Sequence, residues 1–302
     1  AMSRLERDIR MAGYTGCTGR DQGNVLINVE MDNGSPATPT TFTPDNGIEG
    51  WEATTNDTTF GNYTLLEDAD SPSDASSSGW ATAGGVVLDG STQALPSSDI
   101  IRLWHVDGDG VLVDVSGSTV DASTTPPYAA NETLMLTDCN NVDIAHVCSL
   151  AGDDASLSCS QNGSLSLLNS GPTHAFKLAG WVYFVGERDD TPVLFRREIS
   201  QNNVAGTPQE LVEGVEALQL QYGEDTDTVP DGVANTYVDA DDVSDWNNVV
   251  SVRVHLLMQS ARNDIVDDTD QTFIFNGATV TGDDGRLRYP FVATVSLRNR
   301  SR

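Results

Sequence analysis

The sequence predicts an α+β fold: one N-terminal helix packed on mostly antiparallel β-structure, with long loops, in one compact domain overall. Three observations lead there. Apolar residues at the start fall at helical spacing. Short β-branched and aromatic runs recur from residue 99 to the end. The stretch between is rich in turn formers.

The helix is read over residues 3–13. Leu5, Ile9 and Ala12 stand at i, i+4 and i+7, which places three apolar side chains on one face. Glu6 precedes Arg10 by one helical turn, a supportive order for an ion pair, and Ser3 with Glu6 fits a capping box. Gly13 offers the positive φ that ends helices. The leading Ala1-Met2 reads as a cloning remnant, to be set aside from the fold.

Residues 14–98 form a loop-rich connecting region. Stretches such as "MDNGSPATPTTFTPDNG" and "EDADSPSDASSSG" are built from turn formers, and the sparse aromatics Trp51, Phe60, Tyr63 and Trp80 can anchor them to a core. From 99 to 302 the chain reads as a β-rich head. "DIIRLWHV" and "GVLVDVSG" read as two strands joined by a turn at "DGDG". "ETLMLTDC" is a strand, and "DIAHVCSLAGDDASLSC" a hairpin with Gly152-Asp153-Asp154 near its tip. "AFKLAGWVYFVGERDDTPVLFRREI" is a hairpin turning at Arg188-Asp189-Asp190. "QELVEGVEALQLQYG" starts as a helical turn and then alternates, with Leu218, Leu220 and Tyr222 on one face. "VVSVRVHLLMQS", "QTFIFNG" and "RYPFVATVSLRNR" complete the strands.

Charge bounds the function. Forty-five acidic residues against sixteen basic give a formal charge of −29, and Lys177 is the only lysine. Nucleic-acid backbones and anionic membrane surfaces need concentrated positive charge and are disfavoured as partners. No window approaches the ~18 consecutive apolar residues of a membrane span. The four cysteines, Cys17, Cys139, Cys148 and Cys159, contain no CxxC pair. That argues against zinc and fits two disulfides in an oxidising compartment, with four reduced, buried thiols as the alternative.

Catalytic motifs are not found. There is no G-x-S-x-G elbow, no HExxH and no Gly-rich loop that opens a helix. His105, His146 and His255 lie inside apolar runs and read as strand positions. The acidic stretch "GEDTDTVPDG" places Asp225, Asp227 and Asp231 around a glycine turn, and hard oxygen ligands in such a loop suit Ca²⁺. Val229-Pro230 delay the third aspartate relative to the EF-hand spacing, so a plain acidic loop is the competing reading. No other cofactor is implied.

Three stretches together resemble the PilW family of type IV minor pilins. "RLERDIRMAGYTGC" is similar to the end of that family's long N-terminal helix. Residues 210–260 resemble its most specific block: Glu210 to Val215, Tyr222-Gly223, an acidic loop at Asp225 to Gly232, Trp246, and a strand at Val249 to Val254. "FVATVSLRNR", residues 291–300, resembles its closing strand. The resemblance implies a pilin-like fold and a non-enzymatic part in priming and assembling the pilus, near its tip. Other minor pilins and the major pilin would be partners, with a tip adhesin a further candidate. It implies that an apolar membrane-crossing half of the helix has been removed upstream. The protein would sit in the inner membrane of a Gram-negative bacterium, facing the periplasm, and then in the extracellular pilus. The family's cysteines correspond to Cys17 and Cys139, which implies Cys17–Cys139 and Cys148–Cys159 pairing. Tying the helix end to the sheet across so long a loop would contribute about 3–5 kcal/mol in the chain-entropy model. Two other roles stay open: a tip-displayed adhesin or Ca²⁺-dependent binding module, with Trp51 and Trp80 as candidate contacts, and a type II secretion pseudopilin.

Overall fold

The computed structural model describes residues 2–14, 24–27, 47–53, 94–95, 98–158, 172–189, 191–199, 207–266, 271–282, 284–298 and 300. Within them lie one α-helix, α1 (Met2–Met11), and seventeen strands. The expected α+β class is therefore corrected: the protein is mainly β. The helix is ten residues long and stops at Gly13, whose φ is +68°. Its apolar stripe joins a core that the sheets build between themselves, because the β-branched and aromatic runs downstream supply nearly all of the buried surface.

The larger sheet has eleven strands. Its centre is β9 (Pro172–Arg188), flanked by β3 (Ile100–Ser116) and β5 (Thr133–Thr137). Beyond β5 come β6 (Asn141–His146) and β1 (Asn24–Ile27), the latter pairing parallel. Beyond β3 come β4 (Thr119–Ala122), β8 (Asp154–Ser156) and β7 (Ser149–Ala151). β2 (Ile48–Trp51) pairs with β3, while β10 (Thr191–Ile199) pairs with β9 and with β11 (Gln209–Glu213). The second sheet is antiparallel, in the order β13 (Thr236–Val238), β12 (Val215–Glu224), β14 (Val249–Gln259), β17 (Arg288–Ser296). β15 (Gln271–Phe275) and β16 (Ala278–Gly282) make a separate hairpin.

Two local expectations are also corrected. "DGDG" at 107–110 is not a turn between strands. β3 runs through it, and its register against β9 shifts between Asp107 and Val111, so these residues form a bulge within one long strand. "QELVE" is not helical: it is β11, separated from β12 by Gly214 at φ +78°.

The main core lies where the two sheets face each other. Ile101 and Leu103 of β3, Trp181, Tyr183 and Val185 of β9, and Leu218, Leu220 and Tyr222 of β12 meet Val252, Val254 and Leu256 of β14. Leu5 and Ile9 of α1, and Ala12 just after it, enter the same cluster with no exposed surface. β9 is buried on both faces. Its odd positions face that core, and Val182 and Phe184 pack with Trp51, Ile100, Val193 and Phe195 behind it.

Candidate functional site

A group of acidic residues gathers at one end of the second sheet, where β12 runs out. Glu224 is the last residue of that strand, and its buried carboxylate accepts hydrogen bonds from Ser244 N (3.1 Å), Ser244 Oγ (2.6 Å) and Asp245 N (3.3 Å). It thereby fixes the short 3-10 turns at 240–242 and 246–248 that lead into β14. Trp246, in the second turn, packs edge-on to the Tyr222 ring at 4.8 Å.

The loop 225–235 folds over this base. Asp225 is buried; its Oδ1 accepts from Asp227 N (3.2 Å) and its Oδ2 from Gly232 N (2.7 Å). Asn235 braces the other side: its Oδ1 accepts from Thr226 N (2.6 Å), and its Nδ2 donates to Asp227 Oδ1 (3.3 Å). Asp231 Oδ1 accepts from Val233 N (2.9 Å). The three aspartates expected from the sequence are brought together: one carboxylate oxygen from each lies within 4.8 Å of the others. Val229, in the inserted Val-Pro pair, is 76 % exposed, so the insertion bulges into solvent and leaves the carboxylates converged. The donors are all oxygen, which fits a hard cation such as Ca²⁺ and not zinc. Asp225 would be the inner ligand and Asp227 and Asp231 the outer ones.

A second acidic cluster, which the sequence reading did not single out, lies under the same end. Asp99 is wholly buried and splices the entry to β3 onto β12: its Oδ1 accepts from Ala53 N (2.9 Å) and its Oδ2 from Leu220 N (2.6 Å). Glu52 accepts from the backbone of Ala240 and is pushed up to about 8, by burial first and then by the charges of Asp239, Asp241 and Asp242. Burial, then Asp242 and Asp241, push Asp239 up to about 6. Burial is also the main cause that raises Asp99 well above the carboxylate range, with Glu52 next. Glu52 Oε2, Asp239 Oδ1 and the Tyr222 hydroxyl have no hydrogen-bond partner among the described residues. Gly50 makes the room: a Cβ there would stand 1.8 Å from the Tyr222 hydroxyl oxygen. These carboxyls come from residues 52, 99 and 239, far apart in sequence, so no spacing could reveal them.

α1 carries another residue that the sequence reading passed over. Asp8 has no exposed surface. It accepts a hydrogen bond from the Tyr183 hydroxyl and lies 3.6 Å from Arg196 and 3.7 Å from His105. Arg196 in turn stacks on Trp181, 3.7 Å from the ring centroid. The signal was present: position 8 is three after Leu5, on the buried stripe.

The other candidates divide. Trp51 is 3 % exposed, beside Ile100 and Phe184, and so anchors its loop instead of offering a contact face. Trp80 lies outside the described residues. Cys139 and Cys148 are not free thiols, and their expected partners Cys17 and Cys159 lie outside the described residues. His105, His146 and His255 are buried positions of β3, β6 and β14 or their immediate ends.

Residues 182–299 match the family model described as Type IV Pilus-assembly protein W. The match starts within β9 and covers the second sheet, the acidic loop and the β15–β16 hairpin. The match covers less than half of the chain and supports a PilW family assignment. No curated protein and no solved structure matches the chain. The matched segment takes in 210–260 and all but the last residue of 291–300, two of the three stretches that carry the resemblance; the helix lies outside it. It supports involvement in type IV pilus assembly. No helix among the described residues is long and apolar enough to cross a membrane.

Proposed function

We propose that this protein is a non-enzymatic minor pilin that helps to prime and assemble the type IV pilus, near the tip of the fibre. The match of residues 182–299 to the pilus-assembly family carries the reading. Further support comes from the N-terminus, where a short helix inserts Leu5, Ile9 and Ala12 between two sheets and so couples any upstream helix rigidly to the head. Its partners are other minor pilins and the major pilin. It is held at the inner membrane facing the periplasm before it enters the extracellular fibre. Cys17–Cys139 and Cys148–Cys159 pairing belongs to the same proposal, and peptide mapping of the unreduced protein tests it.

Deleting the gene in the source bacterium and counting surface pili by electron microscopy tests the role. Piliation falls and returns when the full-length protein is supplied. Unchanged piliation overturns the reading.

The converged carboxylates of Asp225, Asp227 and Asp231 favour one addition: the head takes up Ca²⁺ at this loop. Calorimetric titration with CaCl₂ shows one site, and Asp227→Asn with Asp231→Asn removes it. No heat of binding at millimolar Ca²⁺ rejects it.

A further inference from the structure

β17 is an edge. It pairs with β14 from Ser296 back to Arg288; at Arg288 the Gln271 side chain of β15 takes up the backbone N–H and C=O, and no described strand pairs with the residues beyond. The exposed part begins at Tyr289, which is 61 % exposed, and passes through Pro290, a residue that edge strands admit because they need not donate there. From Phe291 to Thr294 the strand shows solvent both faces as well as its edge. Phe291 is 49 % and Val292 60 % exposed, and Tyr289 packs against Phe291 with ring centroids 4.7 Å apart. An unpaired row of amides beside apolar side chains is the surface on which added strands form, unless charges or a cover block it.

Charge marks the far end. Arg298, Arg300 and Arg302 follow the strand with no carboxylate side chain after Asp284, although the whole protein holds 45 acidic residues; Arg286 and Arg288, at its start, are taken up by Asp284 and Glu216. α1 closes the edge there: Arg298 N donates to Arg10 O at 2.9 Å, and both arginine side chains are exposed. The free edge therefore runs from a proline stop to a pair of cations, on a molecule that is acidic elsewhere.

We propose that the outer edge of β17, from Phe291 to Thr294, receives an extended segment of a neighbouring protein subunit as an added strand, apolar over Phe291 and Val292 and acidic where it meets Arg10 and Arg298. The pilus-assembly reading supplies only the identity of the neighbour as another pilus subunit. A second copy of this chain is the weaker occupant, since two molecules of charge −29 repel.

Amide hydrogen exchange on the 302-residue chain tests the contact. The probe is a synthetic peptide of alternating valine and threonine with two glutamates at one end, made in both orientations. A twin carries lysines in their place. The glutamate peptide in one orientation slows exchange at 291–294 at least tenfold, and the lysine twin does not. Phe291→Asp and Arg298→Glu each abolish the slowing while the melting temperature is kept; Phe291→Leu retains it. No slowing at millimolar peptide, or equal slowing by the lysine twin, overturns the proposal. Slowing that appears on concentrating the chain alone overturns it in favour of a second copy. Loss of piliation on gene deletion together with an unprotected edge leaves the pilus role standing and removes this contact.

Discussion

At the scale of single residues, buried carboxyls decide most of what can be tested. Asp8 is surrounded by the buried Tyr183 hydroxyl, Arg196 and His105, with the exposed Arg7 donating to it at 3.2 Å from outside. Removing one member of such a group leaves the others desolvated and unpaired. Asp8→Ala is expected to destabilise the fold by about 3–5 kcal/mol in urea denaturation, and Asp8→Asn by less, since the amide oxygen still accepts from Tyr183. Glu52 gives a pH dependence of defined sign. Between about 4.5 and about 8 its carboxyl keeps its proton in the folded chain and has lost it in the unfolded one. The folded state holds more protons in that window, so stability falls as pH rises through it. Asp239, raised from 3.8 to about 6, acts in the same direction over a lower window. Asp99, Asp241, Asp242 and the Tyr222 hydroxyl face the same cluster and add negative charge or desolvation, while Arg102 is taken up by Glu49. Glu52→Gln is expected to flatten the fall of melting temperature between pH 5 and 8. An unchanged slope would show that the carboxyl is charged throughout.

At the scale of elements, the second sheet is clasped across its width. Glu216 of β12 and Arg288 of β17 lie two strands apart, joined through two hydrogen bonds of 2.8 and 3.0 Å, and Arg288 also holds Asp284 at 2.6 and 2.9 Å. Glu216 has no exposed surface and Arg288 is 2 % exposed. Arg288→Met alone is expected to cost about 3–5 kcal/mol, because Glu216 is then buried without its cation. Adding Glu216→Gln to that variant recovers more than half of the loss. A double-mutant cycle on urea midpoints measures the coupling, and strict additivity would show that the two act independently. The same clasp fixes the start of β17, so the edge beyond Pro290 is held in extended form before anything pairs with it.

At the scale of the whole molecule, a formal charge of −29 on 302 residues means that the compact state works against its own field. Arginines offset this locally, at Glu49–Arg102, at the Asp8 cluster and at Arg288. Raising NaCl from about 10 to 150 mM shortens the Debye length from roughly 30 to 8 Å. The melting temperature is expected to climb across that range; a fall would show that the ion pairs outweigh the repulsion.

Much of this was legible in the chain alone, and the division has a physical cause. Periodicity and β-branched runs located the helix and most strands, because those signals act over neighbouring residues: the β9–β10 hairpin at Asp189 and the stripe of Leu218, Leu220 and Tyr222 needed nothing distant. The residues of the acidic loop could likewise be named from their spacing. What the sequence by itself could not determine was how the elements share the burial. The fold class turned on that, since among the described residues one ten-residue helix beside seventeen strands leaves the core to the sheets. So did the long β3, where pairing with β9 outweighs the turn preference of "DGDG". Only the tertiary structure brings Glu52, Asp99 and Asp239 together, seats Asp8 between Tyr183 and Arg196, and leaves one edge of β17 unpaired among the described residues, because each arrangement depends on contacts between residues that the chain keeps far apart.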